Sequence, residues 1–172
     1  MSDTLFIKIS DITVSDCQLK IKFDFSKELS KYFFKNSFEI FYDQNIENVD
    51  ESILSIPAVL PLIPIAWACG AEFFVDKLDE SCFRSLKNLR KVYSNYFPKF
   101  SSSGDIHVQK IISNRFNNNR NSLLFSGGLD SLISYVRNKD KNLILITLLR
   151  TSDFPENFEY WIKSMSCLRN KD

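Results

Sequence analysis

Ser126-Gly127-Gly128-Leu129-Asp130-Ser131 combines residue types and spacing suited to phosphate chemistry. The apolar Leu123-Leu124-Phe125 precedes it, and an amphipathic stretch follows. The chain has only 4 Gly, and two of them are adjacent here. A Ser-Gly-Gly turn between a strand and a helix exposes backbone N–H groups on one concave surface, and the helix N-terminus adds partial positive charge. The N–H groups of Gly127 to Ser131 donate without side-chain bulk, with Gly127 and Gly128 permitting the backbone angles and the close approach. The hydroxyls of Ser126 and Ser131 are further donors. Asp130 needs a separate reason, because a carboxylate repels phosphates. Mg2+ resolves the conflict, being held by one or two carboxylates together with phosphate oxygens. Alternatively, Asp130 only complements the helix N-terminus. The simplest competing reading of the whole segment is a plain turn with Asp130 or Ser131 as N-cap.

The spacing is not that of the Walker loop, since no Lys follows the glycines, and it is not the dinucleotide Gly-x-Gly-x-x-Gly. Ser-Gly-Gly-x-Asp-Ser resembles the PP-loop of the ATP pyrophosphatases, and every position of that motif matches. The family includes GMP synthetase, asparagine synthetase, tRNA thiolation enzymes and 7-cyano-7-deazaguanine synthase. The resemblance implies ATP and Mg2+ as ligands. It implies cleavage between the α and β phosphates, adenylation of a substrate oxygen and release of pyrophosphate. It assigns phosphate contacts to Ser126, Gly127, Gly128, Leu129 and Ser131, and gives Asp130 a part in cofactor binding through a catalytic, metal-holding role. It places adenine near Thr147–Leu149. The following Thr151, Ser152 and Asp153 read as a polar turn ahead of Pro155.

The elements that must position this loop can be read from periodicity. Leu5–Ile9 reads as a strand. Gln18–Phe25 alternates strictly, with Leu19, Ile21, Phe23 and Phe25 on one side, as in a half-buried antiparallel strand. Phe38–Tyr42 is a further strand, and Lys27–Phe34 is a short helix or a loop. The uncharged run Ile56–Ala71 is broken by Pro57, Pro61 and Pro64, lacks basic flanks and falls short of a membrane span. It reads as a buried helix starting near Pro61 or Pro64 and stopping at Gly70. Glu72–Val75 is a short strand. Asp79 or Ser81 caps a helix whose apolar stripe is Phe83, Leu86, Leu89, Val92 or Tyr93, and Tyr96, ending before Pro98. Ser101–Gly104 is a turn and Ile106–Ile112 a strand.

The Asn-rich stretch 113–120 reads as a connector between an α+β N-terminal domain, 1–112, and a nucleotide-binding domain, 121–172. The second domain reads as strand, loop, helix, strand. Leu132, Ile133, Tyr135 and Val136 form the helix's apolar side. Leu143–Leu149 is a continuous apolar run, as in a parallel strand covered on both faces. Together these are a right-handed βαβ unit with its ligand loop at the carboxyl end of the first strand. Pro155–Arg169 is a further helix, with Phe158, Trp161, Ile162 and Met165 on one face.

The order of elements before the loop is similar to the N-terminal region of larger bacterial proteins described as 7-cyano-7-deazaguanine synthase-like, some of which sit in anti-phage defence operons. The resemblance therefore implies the first βαβ portion of a doubly wound α/β PP-loop (HUP-like) domain. The chain ends at Asp172, before the family's substrate pocket, later basic residues and any zinc-binding cysteines. The expectation is a truncated form, a protein partner that completes the sheet, or an N-terminal domain that covers its edge. Two functions follow: the N-terminal part of an adenylating ligase, or a non-catalytic nucleotide- or partner-binding module.

Composition narrows the rest. A net charge of +1 gives no nucleic-acid or membrane signature. Cys17, Cys69, Cys82 and Cys167 show no C-x-x-C spacing, and His107 is the sole histidine, which argues against an internal zinc site. The N-terminus lacks a secretory h-region, so a cytoplasmic protein with reduced thiols is expected. His107 lies on the polar side of its strand and reads as surface. A Ser-His-Asp hydrolase has no support, because no nucleophile elbow is present.

Overall fold

The computed structural model describes residues 4–98, 104–115 and 121–146. The chain divides into two compact units, 1–115 and 116–172. The expectations for Ser101–Ser103, Thr147–Leu149, Thr151–Asp153 and Pro155–Arg169 lie outside the described residues.

The first unit is a mixed α+β fold. Its strands are β1 (Phe6–Ser15), β2 (Gln18–Phe25), β3 (Ser37–Phe41), β4 (Glu72–Asp79) and β5 (Ile106–Ile112). They form one sheet in the order β3-β2-β1-β4-β5. The β1–β2 and β2–β3 pairs are antiparallel, whereas β4 runs parallel to both β1 and β5. The hairpin between β1 and β2 turns on Asp16, whose φ of 50° supplies the left-handed conformation that tight hairpins need. A 3-10 helix, Lys27–Tyr32, links β2 to β3.

β1 is longer than its simple alternation indicates. Ile7 and Ile9 are buried, and then the inward positions shift to Ile12 and Val14. The register with β2 slips between Ile9 and Asp11, leaving Ser10 as the extra residue. A bulge of this kind moves every later side chain to the opposite face. The change in apolar phase therefore continues one strand instead of ending it.

The helices are α1 (Glu51–Leu54), α2 (Ile56–Cys69) and α3 (Glu80–Tyr96). α2 corrects the expected start near Pro61 or Pro64. It begins at Ile56, with Pro57 in its first turn and both later prolines inside it. An internal proline removes a helix hydrogen bond and crowds the preceding turn. Burial of Ala58, Val59, Leu62, Ile63, Ala66 and Trp67 offsets that cost. α2 stops at Gly70 as expected, with φ 69° and the Ala71 N–H returning to Ala66 O at 2.9 Å.

β4 extends past the expected Val75 to Asp79, which directly caps α3 by accepting from the Ser81 and Cys82 N–H groups at 2.9 and 3.1 Å. Leu86 is the buried anchor of α3. Phe83, Leu89 and Tyr93 pack beside it, while Val92 and Tyr96 are exposed. The core joins Phe23 and Phe73 of the sheet to Leu62, Ile63 and Leu86 of the helices. The other sheet face leaves Phe6, Phe74 and His107 exposed.

In the second unit, β6 (Asn121–Leu124) pairs in parallel with β7 (Leu143–Ile146), and α4 (Leu129–Asn138) connects them. Phe125 N–H extends the pairing to Ile146 O at 2.8 Å, just beyond the regular strand. Phe125 is buried and meets Tyr135 edge-on at 6.2 Å. The expected apolar side of α4 is only partly sheltered. Tyr135 is half-buried, but Leu132, Ile133 and Val136 are exposed. Ile144 and Ile146 are exposed too, so β7 is not covered on both faces among the described residues. Among the described residues, two four-residue strands are too narrow to shelter a helix face and both sheet surfaces.

A candidate phosphate loop

The residues between β6 and α4 lie at the carboxyl end of a parallel strand and run straight into a helix. This is where open α/β sheets present ligands. Ser126, Gly127, Gly128, Leu129 and Asp130 are all exposed, and Ser131 is partly so.

The two glycines differ in what they require. Gly127 has φ 78°, in the left-handed region that favours glycine. Gly128 is extended, with φ −78° and ψ 167°, a conformation open to any residue. A Cβ on Gly128 would meet only Ser126 Oγ, at 3.5 Å. The expectation that both glycines are needed for backbone angles is thus corrected. Only Gly127 carries that demand, and Gly128 leaves the loop surface bare.

Gly128 is the N-cap of α4, and no side chain caps the helix. This replaces the simpler reading with Asp130 or Ser131 as cap. Leu132 N–H makes the first helical bond, to Gly128 O at 3.0 Å. The N–H groups of Leu129, Asp130 and Ser131 precede that ladder and face outward from the helix start. Such groups, with the positive end of the helix dipole, attract an anion.

The serines shape the turn from both sides. Ser131 Oγ donates to Gly128 O at 2.8 Å and lies 3.4 Å from Ser126 Oγ. Ser126 Oγ in turn accepts from Gly128 N–H at 3.4 Å. Asp130 sits in the first turn, with no hydrogen bond or ion pair to another described residue. Among the described residues, no group of three or more Asp, Glu, His or Cys side chains is arranged to hold a metal ion by itself. The exposed carboxylate fits a cation that arrives with a polyphosphate better than a resident ion.

Other reactive groups belong to the framework. Burial, and then the charge of Asp79, push the Cys82 thiol above its ordinary value, which disfavours the nucleophilic thiolate. Cys17, Cys69 and Cys82 are free thiols. His107 bonds Glu72 through Nε2 and stacks on Phe74 with ring centres 4.8 Å apart. Arg90 pairs with Asp105 at 2.9 Å beside them. These contacts join α3 to the starts of β4 and β5, the opposite strand ends from those that carry ligands in parallel sheets.

Sequence reading missed one polar network. Asn114 Nδ2 donates to Ser52 Oγ at 2.9 Å and to Asp79 Oδ2 at 3.0 Å. Ser52 Oγ donates to Asp50 Oδ1 at 2.6 Å. Ser52 and Asp79 are buried. Burial tends to raise the Asp79 carboxyl, but bonds from Asn114 and from the Cys82 and Ser81 N–H groups outweigh it and hold it below the usual range. Its partners lie far apart in sequence, so no local pattern signals the network.

Among the described residues, no helix is long and apolar enough to cross a membrane. No protein-family model, curated protein or solved structure matches this chain.

Proposed function

We propose that the Ser126–Ser131 loop binds the phosphates of Mg-ATP, and that the chain carries the PP-loop portion of an adenylating ATP pyrophosphatase. The observation that supports this reading most is the bare, uncapped start of α4 directly after Gly127 and Gly128. In this reading the Leu129, Asp130 and Ser131 N–H groups hold phosphate oxygens, and Ser126 and Ser131 hydroxyls turn toward them. Asp130 holds the Mg2+ that accompanies the nucleotide, which spreads the phosphate charge. A cytoplasmic, 7-cyano-7-deazaguanine synthase-like role in defence or nucleoside modification is the accompanying context. A protein partner that completes the β6–β7 sheet belongs to the same proposal.

The exposed Leu132, Ile133 and Val136 favour one further reading, a binding module whose apolar surface is covered by a partner. Calorimetric titration of the whole chain with Mg-ATP, alongside Ser126→Ala and Asp130→Ala, tests the site. Saturable binding weakened by both substitutions is expected. A folded chain that does not bind would overturn the nucleotide reading. Release of AMP and pyrophosphate separates the ligase from the module, which binds without turnover.

A further inference from the structure

β5 stands at one end of its sheet, with a neighbour on one side only among the described residues. Its ladder with β4 keeps constant register from the Phe73–Ile106 pair to the Asp79–Ile112 pair. Phe73 N–H donates to Asp105 O at 2.8 Å, which fixes the phase of that ladder. In a parallel pair, alternate residues turn their backbone groups toward the neighbouring strand. Asp105, His107, Gln109 and Ile111 therefore face β4, and Ile106, Val108, Lys110 and Ile112 face away from it. Ile106 N–H accords with this direction, donating to Asp105 Oδ1 at 2.8 Å instead of to β4. The outward groups of Val108, Lys110 and Ile112 meet no further strand among the described residues.

The two edges of the sheet differ in how they treat an added strand. At β3, Asn36 O and Tyr42 N–H bond to β2, so Ser37, Glu39 and Phe41 carry the outward groups. Pairing β3 with itself over its full length sets Glu39 against Glu39, and like charges directly opposite repel. β5 has no such guard. Its sequence, Ile-His-Val-Gln-Lys-Ile-Ile, contains no Pro or Gly, is rich in β-branched residues and carries Lys110 as its one fixed charge. Open edges of this composition template further pairing.

Charge and hydrogen-bond phase select the register of a second copy. Antiparallel pairing centred on Gln109 sets Ile106 against Ile112 and Val108 against Lys110. Every outward residue then meets an outward residue, and no like charges are opposed. Moving the centre to Lys110 brings the two ammonium groups face to face. In the favoured register Val108 and Lys110 exchange both backbone bonds with the second copy, and Ile112 N–H donates to Ile106 O. A two-fold axis normal to the sheet keeps the helix-covered faces of both copies on the same side.

We propose that the chain forms a symmetric dimer through β5, two copies joining antiparallel into one continuous sheet about a two-fold axis at Gln109. The inference does not rest on the nucleotide reading.

The test is sedimentation equilibrium of the full chain over a range of concentrations. A reversible monomer–dimer equilibrium is expected. Lys110→Pro removes an outward N–H that the β4 ladder does not use, and should abolish the dimer. Gln109 is exposed, so its substitution leaves the fold intact. Gln109→Glu and Gln109→Lys each oppose like charges at the axis and should weaken self-association about threefold to fivefold. Mixed together, these two variants should bind each other more tightly than either binds itself, as contact between copies at residue 109 requires. Glu39→Gln, at the other edge, should change nothing. Circular dichroism checks that each variant is folded. A chain that stays monomeric at millimolar concentration would overturn the proposal, as would a dimer unaffected by the β5 variants. Species larger than a dimer would also overturn it, in favour of β5 pairing with β3 of the next copy. A dimer lost in Val136→Ser but retained in Lys110→Pro would overturn it by moving the contact to α4.

Discussion

Ser131 folds back on Gly128, its hydroxyl donating to the Gly128 carbonyl at 2.8 Å. The contact holds the first turn of α4 against the turn that precedes it. Ser131→Ala removes this tie from the free loop, and with it the hydroxyl that, in the proposed reading, turns from Gly128 O to donate to a phosphate oxygen. We expect Mg-ATP affinity to fall by about tenfold, as for loss of one charge-assisted hydrogen bond, measured by calorimetry. Unchanged affinity would place the nucleotide elsewhere.

Gly127→Ala and Gly128→Ala should separate two causes. Alanine at 127 must take φ 78°, at a cost of about 1–2 kcal/mol, so the loop should shift. Alanine at 128 is compatible with the observed backbone and has only Ser126 Oγ nearby. Amide NMR of the unliganded chain is expected to show displaced Leu129–Leu132 resonances for Gly127→Ala and near-native ones for Gly128→Ala. Equal displacement in both would contradict the assigned loop conformation.

Gly104 has no room for a side chain. A Cβ there would lie 2.0 Å from the Ala71 carbonyl oxygen, a backbone atom fixed at the start of β4. Gly104→Ala should destabilise the first unit by about 1–3 kcal/mol or more, read as a lower urea midpoint. A midpoint unchanged from wild type would show that the close approach of these segments is not maintained in solution.

Pro61 is exposed inside α2, where alanine is the better helix former. Pro61→Ala is expected to raise stability by about 1 kcal/mol or more, because the restored N–H gain exceeds the unfolded-chain entropy that proline removes. Equilibrium denaturation gives the sign. A loss of stability would mean that the proline ring makes a packing contribution larger than its backbone cost.

Asp79 links stability to pH. Its carboxyl lies below the ordinary value because Asn114 and two N–H groups outweigh burial. A depressed folded value contributes stability above the unfolded value of about 3.9, and that stability is lost as pH falls through the folded value. Asn114→Ala should therefore lower stability at neutral pH by about 1–3 kcal/mol and flatten the decline below about pH 4. Parallel pH profiles for the two proteins would show that Asn114 does not hold the ionised form.

Several elements were legible from local chemistry alone. The strict alternation of Leu19, Ile21 and Phe23 marks β2, because a strand turns successive side chains to opposite faces. Gly70 marks the end of α2, and Asp79 is one of the two caps expected for α3. The adjacent glycines also mark the turn between β6 and α4, since the left-handed backbone at Gly127 is a demand confined to one residue. Tertiary structure decided what depended on distant partners. Ser10 could be absorbed as a bulge only because β2 supplied a ladder across the shifted register. Pro61 and Pro64 could remain in a helix because the sheet buries the neighbouring apolar face. Asp79 could stay charged while buried because Asn114 reaches it from 35 positions away. Local propensities set the available backbone choices; long-range burial and hydrogen bonding selected among them.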